Sequence, residues 1–178
     1  RGTIWSLAPA IYMDKIVVDR NAAAALVPQC MDAPAAWTLA LIARQKKKSV
    51  RDLSVIVLDR PRNQDLIHEI RQSGARVLLR DEGDAEGALI AATADTSVDV
   101  LMGIGGVSQG VLAACAVKAS GGAMLARLRP QNAVERENIQ RAGLDESRIM
   151  TCGELVNSKQ IFFAATSITD SALLRAMQ

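Results

Sequence analysis

Between residues 53 and 128 the chain repeats one unit: a short apolar run, a few polar or glycine residues, then a helical segment. This alternation constrains the fold more than any other feature. Strand, helix and strand in succession place neighbouring strands parallel in one sheet, with helices covering its faces. The predicted strands are 53–58, 76–79, 98–102 and 123–128, and the predicted helices are 62–73, 85–94 and 108–119. Leu66, Ile67 and Ile70 mark one face of the first helix, which Gly74 ends. The strand runs lack polar alternation, as strands buried on both sides do. The fold class expected is α/β, with a largely parallel or mixed sheet and helices on both faces.

The flanks extend the pattern. Residues 2–8 and 11–18 read as strands, 20–34 as a connection containing Pro28 and Pro34, and 35–47 as a helix with Leu39, Ile42 and Ala43 on one face. A polar helix is expected over 131–142 and a last strand over 160–165. The chain opens on Arg1 and runs almost directly into Thr3-Ile4-Trp5, as a piece of a longer protein would.

Composition excludes several classes. With 49% hydrophobic residues a core is affordable and long disorder is not expected. A net charge of +2 gives no sign of a nucleic-acid partner, and no apolar run is long enough to span a membrane. The basic run Arg44, Lys46, Lys47, Lys48 reads as a solvated helix end. Cys30, Cys115 and Cys152 follow no metal-ligand spacing; Cys115 reads as a buried thiol, and reduced thiols point to the cytoplasm. His68 is the only histidine, which excludes sites that need two.

Ligands on open α/β sheets bind beyond the C-terminal strand ends. Three such ends carry unusual residues here. One has Arg60-Pro61-Arg62, whose guanidinium forks suit phosphate oxygens. The next has Glu82-Gly83-Asp84, carboxylates able to bind sugar hydroxyls or a metal, although Asp84 reads equally as a helix N-cap. The third has a glycine loop, Gly103-Ile104-Gly105-Gly106, leading into Val107-Ser108-Gln109-Gly110, where small residues admit a ligand to the backbone. It fits neither the dinucleotide fingerprint nor a P-loop. Arginines, carboxylates and a glycine loop together describe a site for a phosphorylated polyol.

Tyr12-Met13-Asp14-Lys15, Arg60-Pro61-Arg62, Gly83-Asp84, the run from Val98 to Gly106 and Phe163-Ala164-Ala165-Thr166 closely resemble, in the same order, motifs of class II fructose-1,6-bisphosphatases. The resemblance runs over essentially the whole chain. It implies the C-terminal lobe of the two-lobed fold of lithium-sensitive sugar phosphatases, with residues 1–20 as the end of the N-terminal lobe or connecting strands and 21–178 as a sugar-phosphate-binding domain. It implies hydrolysis of the 1-phosphate of fructose 1,6-bisphosphate, with Mn²⁺ or Mg²⁺ as cofactor, in gluconeogenesis or the Calvin cycle; some members also take sedoheptulose 1,7-bisphosphate. It also implies a homo-oligomer. By position, Tyr12, Arg60, Pro61, Arg62, Glu82, Gly83, Asp84 and Gly106 resemble substrate contacts, and Gln109 stands where the family has a metal-binding glutamate.

There are departures. The metal-binding carboxylates of the family's N-terminal half are missing from this sequence, so no catalytic residue is assigned to it and the chain is expected to be inactive alone. Gln109 lacks the charge that a hard cation prefers. Asn63 replaces a common histidine, Glu82 an aspartate, and Ser167 and Ser171 glycines. Two further readings therefore stand beside the enzyme: an inactive relative that binds sugar phosphate or serves as a subunit, and an unrelated nucleotide-binding domain.

Overall fold

The computed structural model describes residue 4 and residues 6–164. The strands are β1 (Tyr12–Val18), β2 (Ser54–Leu58), β3 (Arg76–Arg80), β4 (Val100–Gly106), β5 (Ala123–Leu128) and β6 (Met150–Thr151). The helices are α1 (Ala35–Lys46), α2 (Gln64–Gln72), α3 (Asp84–Ala92), α4 (Val107–Ala119), α5 (Ala133–Arg141) and the short α6 (Cys152–Leu155). One sheet holds the strands in the order β3-β2-β4-β1-β5-β6.

The sheet is mixed. β3, β2 and β4 are parallel, whereas β4–β1, β1–β5 and β5–β6 are antiparallel. Of the two arrangements expected, the mixed one is found. The reason is β1: it precedes the repeating units in sequence but lies between β4 and β5 in space. Two cores cover the faces. Leu39, Ile42, Ile67 and Ile70 of α1 and α2 close one against Val55, Val57 and Val100. Ala88, Ile90, Ala113 and Val117 of α3 and α4 close the other against Ile56, Leu101 and Val17.

Two expected strands are not there. Among the described residues of 2–8, Ile4 makes only an isolated bridge to Val156. Residues 160–164 have no strand pairing and Phe162 is 93% exposed; Ala165 lies outside the described residues. Strand propensity forms a strand only when the segment pairs with an edge, and residues 160–164 pair with neither edge strand of the sheet, β3 or β6. Cys115 is half-buried rather than buried. Among the described residues no helix is long and apolar enough to cross a membrane.

The basic run ends α1 as expected, with Arg44, Lys47 and Lys48 exposed, but Lys46 is turned inward. Lys47 takes the left-handed conformation (φ 54°), and the Lys48 amide donates back to the Ala43 carbonyl at 2.9 Å. That turn drops two lysines onto buried acids. Lys46 Nζ lies 2.9 Å from both Asp19 Oδ2 and Asp99 Oδ1, and Lys48 Nζ lies 2.7 Å from Asp99 Oδ1. The Ser54 amide donates to Asp99 Oδ2 at 3.0 Å. Burial would raise the Asp99 carboxyl, but hydrogen bonds from Lys48, Lys46 and Ser54 outweigh it and hold it below the usual carboxylate range. Burial would lower Lys46, but its bonds to Asp99 and Asp19 lift it above an ordinary lysine.

A lowered carboxylate stabilises the fold above its unfolded pKa and loses that contribution as pH falls through its folded one. A raised lysine stabilises below its unfolded pKa and loses its contribution as pH rises through its folded one. The network therefore contributes fully between about pH 4 and pH 10. In the intact protein, Lys46→Met should cost about 3 kcal/mol in urea unfolding at pH 7, because Asp19 is left buried without its cation. Below about pH 4 the wild type should lose stability more steeply than Asp99→Asn.

Candidate functional site

The C-terminal ends of β3, β2 and β4 lie side by side, and because β1 runs antiparallel its first residue joins them: Tyr12 pairs with Gly106. Helices α2, α3 and α4 all start from this edge. None of the three has a side-chain cap: the residues before them are Asn63, Gly83 and Gly106. By contrast Asn132 caps α5 and Thr151 forms a capping box with Glu154 on α6. Uncapped first-turn amides point toward the edge and favour an anion there.

The glycine segment is strand, not loop. β4 continues through Gly106, and α4 begins at Val107 with no intervening turn. Glycine is a poor strand former, but pairing with β1 along Lys15↔Gly103, Asp14↔Ile104, Met13↔Gly105 and Tyr12↔Gly106 supplies the ladder. The glycines are required by what lies over them. A Cβ at Gly105 would sit 1.9 Å from Asp84 Oδ2, and one at Gly103 would sit 3.0 Å from Asn63 Oδ1 at a φ of +123°. Gly106 is different: nothing lies within 4 Å of its Cβ direction, so its face is open.

Arg62 is held on two sides. Its guanidinium stacks over the Tyr12 ring at 4.8 Å, and Nε donates to the Ile104 carbonyl at 3.0 Å. The planar fork is thereby fixed with its other nitrogens available. Asn63, 1% exposed, links two strand ends: Nδ2 donates to Leu58 O at 3.0 Å and Ile104 O at 3.3 Å, and Oδ1 accepts from the Ile104 amide at 2.8 Å. Its role is therefore to position the end of β4. Pro61 opens the turn before α2, and the half-buried Arg60 donates to the Asp59 carbonyl at 3.2 Å.

Asp84 is not an N-cap. It is the first residue of α3, behind Gly83 in the left-handed conformation (φ 85°). Its side chain turns inward instead, with Oδ2 2.6 Å from Lys15 Nζ; the side chains are 6% and 1% exposed. Glu82 and Gly83 are exposed beside it, and Arg80 at the end of β3 reaches Glu86 at 3.5 Å. Asp14, the neighbour of Lys15, faces the other side of the sheet and lines a cavity of about 220 Å³ with Asn63, Glu69 and Arg129. Burial raises its carboxyl, partly offset by Arg129 and Arg127.

Gln109 is exposed in the first turn of α4. Among the described residues no group of three or more His, Cys, Asp or Glu side chains is arranged to hold a metal ion. A lone neutral amide oxygen does not fit a hard divalent cation, so no step is assigned to a metal within this chain. His68 is exposed and contacts Gln72. Ser167, Ser171 and Thr166 lie outside the described residues.

Tyr12 and Arg62 thus meet beside Gly106; Asp84 lies at the same edge against Gly105 and Lys15, on the sheet face opposite Tyr12; Arg60 and Glu82 follow the ends of β2 and β3. Local pattern assigns no role to Lys15 or Arg80, and marks Gly105 only as part of a ligand-admitting glycine segment. The one available signal was a lysine in a strand whose same-face neighbours, Met13 and Val17, are apolar.

The family model described as bacterial fructose-1,6-bisphosphatase, glpX-encoded, matches residues 1–178. Fructose-1,6-bisphosphatase class 2 of Haemophilus influenzae is 36% identical over 96% of this chain and 54% of its own length. Two proteins of Synechococcus sp., each named D-fructose 1,6-bisphosphatase class 2/sedoheptulose 1,7-bisphosphatase, are 35% identical over 96% of this chain and 52% of theirs. The chain spans about half the length of the curated relatives it matches.

Asn63→Ala leaves the Ile104 amide without its acceptor, while the Leu58 carbonyl keeps its bond from the Arg60 amide. It should cost about 1–3 kcal/mol in urea unfolding of the intact protein, whereas a cost near zero would show that water replaces the side chain.

Proposed function

This chain belongs to the family of glpX-encoded bacterial fructose-1,6-bisphosphatases, and from that premise we propose that it supplies the sugar-binding half of a phosphatase that converts fructose 1,6-bisphosphate to fructose 6-phosphate. The observation that carries this reading is the edge where Arg62, stacked on Tyr12, stands beside open Gly106 and uncapped helix starts. A fixed guanidinium and free amides suit a phosphate, and neighbouring carboxylates suit sugar hydroxyls.

In this reading Arg60 and Arg62 bind a phosphate of the substrate, and Tyr12, Pro61 and Gly106 shape the place it occupies. Glu82, Gly83 and Asp84 meet the sugar. The residues of this chain orient the substrate; no catalytic group is assigned among them. Mn²⁺ or Mg²⁺ is the divalent cation we assign to the reaction, following the general metal dependence of class II fructose-1,6-bisphosphatases. Sedoheptulose 1,7-bisphosphate is the second substrate to examine, given the names of the Synechococcus relatives. A homo-oligomer in the cytoplasm completes the reading.

One observation favours the inactive relative. Gln109 is neutral and exposed where the resemblance places a metal-binding glutamate. Phosphate release by the intact protein, with Mn²⁺ and with chelator, separates the two. Metal-dependent release supports the phosphatase, and tight binding of fructose 6-phosphate without release supports the relative. In an active protein, Gln109→Glu should lower the Mn²⁺ concentration needed for half-maximal rate, because a carboxylate holds a hard cation better than an amide. Identical Mn²⁺ titrations would remove Gln109 from the metal's surroundings.

A further inference from the structure

Among the described residues Lys15 is one of the largest fully buried side chains, with 0% exposure, and it lies in mid-strand between the apolar same-face neighbours Met13 and Val17. A buried ammonium has a high desolvation cost and persists only where a partner compensates it. Its partner here is Asp84 Oδ2 at 2.6 Å, yet neither Lys15 Nζ nor that oxygen has a well-directed hydrogen bond among the described residues. The pair is therefore held by charge and by the walls around it. Gly105 is one wall, since a Cβ there would lie 1.9 Å from Asp84 Oδ2 and 2.6 Å from Lys15 Nζ. An apolar pair would fill this space at less desolvation cost, so stability alone gives no reason for these two charges.

The reason lies in where Asp84 stands. It is the first residue of α3, directly after Gly83, at the edge that carries Arg62 and Gly106. We propose that Lys15 is a positioning residue for sugar recognition: it clamps Asp84 Oδ2 beneath the glycine segment, so that Oδ1 and the first amides of α3 are fixed where a substrate hydroxyl meets them. This rests on the sugar-phosphate reading above and extends it to a residue that never touches the ligand. Gly105 belongs to the same device, because any side chain there would displace the carboxylate.

The test is a double-mutant cycle in the intact protein. KM and kcat for fructose 1,6-bisphosphate and the melting midpoint are measured for wild type, Lys15→Met, Asp84→Asn and the double variant. Lys46→Met controls for the loss of a buried ion pair at the opposite end of the strands. Lys15→Met should raise KM about tenfold or more with little change in kcat. The double variant should be no worse than Asp84→Asn alone, because Lys15 acts only through Asp84. Lys46→Met should lower the melting midpoint and leave KM unchanged.

An unchanged KM in Lys15→Met, whatever its melting midpoint, overturns the proposal, as do effects that multiply in the double variant. Should Lys15→Met alone fail to fold, the double variant against Asp84→Asn decides: equal KM supports the role, and a further rise overturns it. If the wild type releases no phosphate, the phosphatase reading fails by itself, and the same variants are titrated with fructose 6-phosphate by calorimetry. Weaker binding by Lys15→Met then keeps the positioning role. Unchanged binding, or none by the wild type, removes it.

Discussion

Asp99 accepts from Lys46, Lys48 and the Ser54 amide on a carboxylate that is 1% exposed. Through those contacts the start of β4, the start of β2 and the end of α1 become one unit, and Lys46 carries the connection on to Asp19 after β1. This is the junction between the parallel and antiparallel parts of the sheet. A buried carboxylate without these donors would be severely destabilising, so the chain either closes the whole network or leaves this end unformed. β1 can stand between β4 and β5 because its end is fastened there.

With one end of the sheet fastened by charge, the opposite end can be built from groups that contribute little to stability. Three helices begin there without side-chain caps, each forgoing about 1 kcal/mol that a cap would supply. β4 ends in glycines that lower strand stability. Asn63 and Arg62 compensate by bonding the Ile104 backbone. The edge is rigid without being covered, which is what binding a phosphorylated sugar demands of a scaffold. Arg60 and Arg62 stand at the end of β2, and Asp84 is drawn beneath the sheet surface by Lys15 rather than left free to neutralise them.

The alternation of apolar runs and helical segments was legible, and it located α1 to α5 and β1 to β5 to within a few residues. Residues 160–164 show the limit of that signal. Ile161, Phe162 and Phe163 have strong strand propensity, but propensity alone does not dock a segment onto a sheet edge, and residues 160–164 pair with no strand. Gly103 to Gly106 err the other way, as weak strand formers that a neighbour makes into strand. In the site, Arg62 and Asp84 were legible as chemistry at strand ends, but their contacts were not. Tyr12 and Arg62 are separated by 50 positions in sequence and meet only because β1 is antiparallel.

The sequence by itself determined the α/β class, the family, and the residues gathered at the strand ends, because these follow from local periodicity and from motifs that are continuous in the chain. The tertiary structure alone decided that the sheet is mixed, that Lys46 and Lys48 of the basic run meet buried acids, and that Lys15 lies beneath Asp84. Each of these depends on which strand β1 pairs with, a choice made by long-range hydrogen bonds and by the burial of charges far apart in sequence. Local pattern carries no record of such partners, since a lysine facing a buried aspartate and a lysine facing water are written the same way.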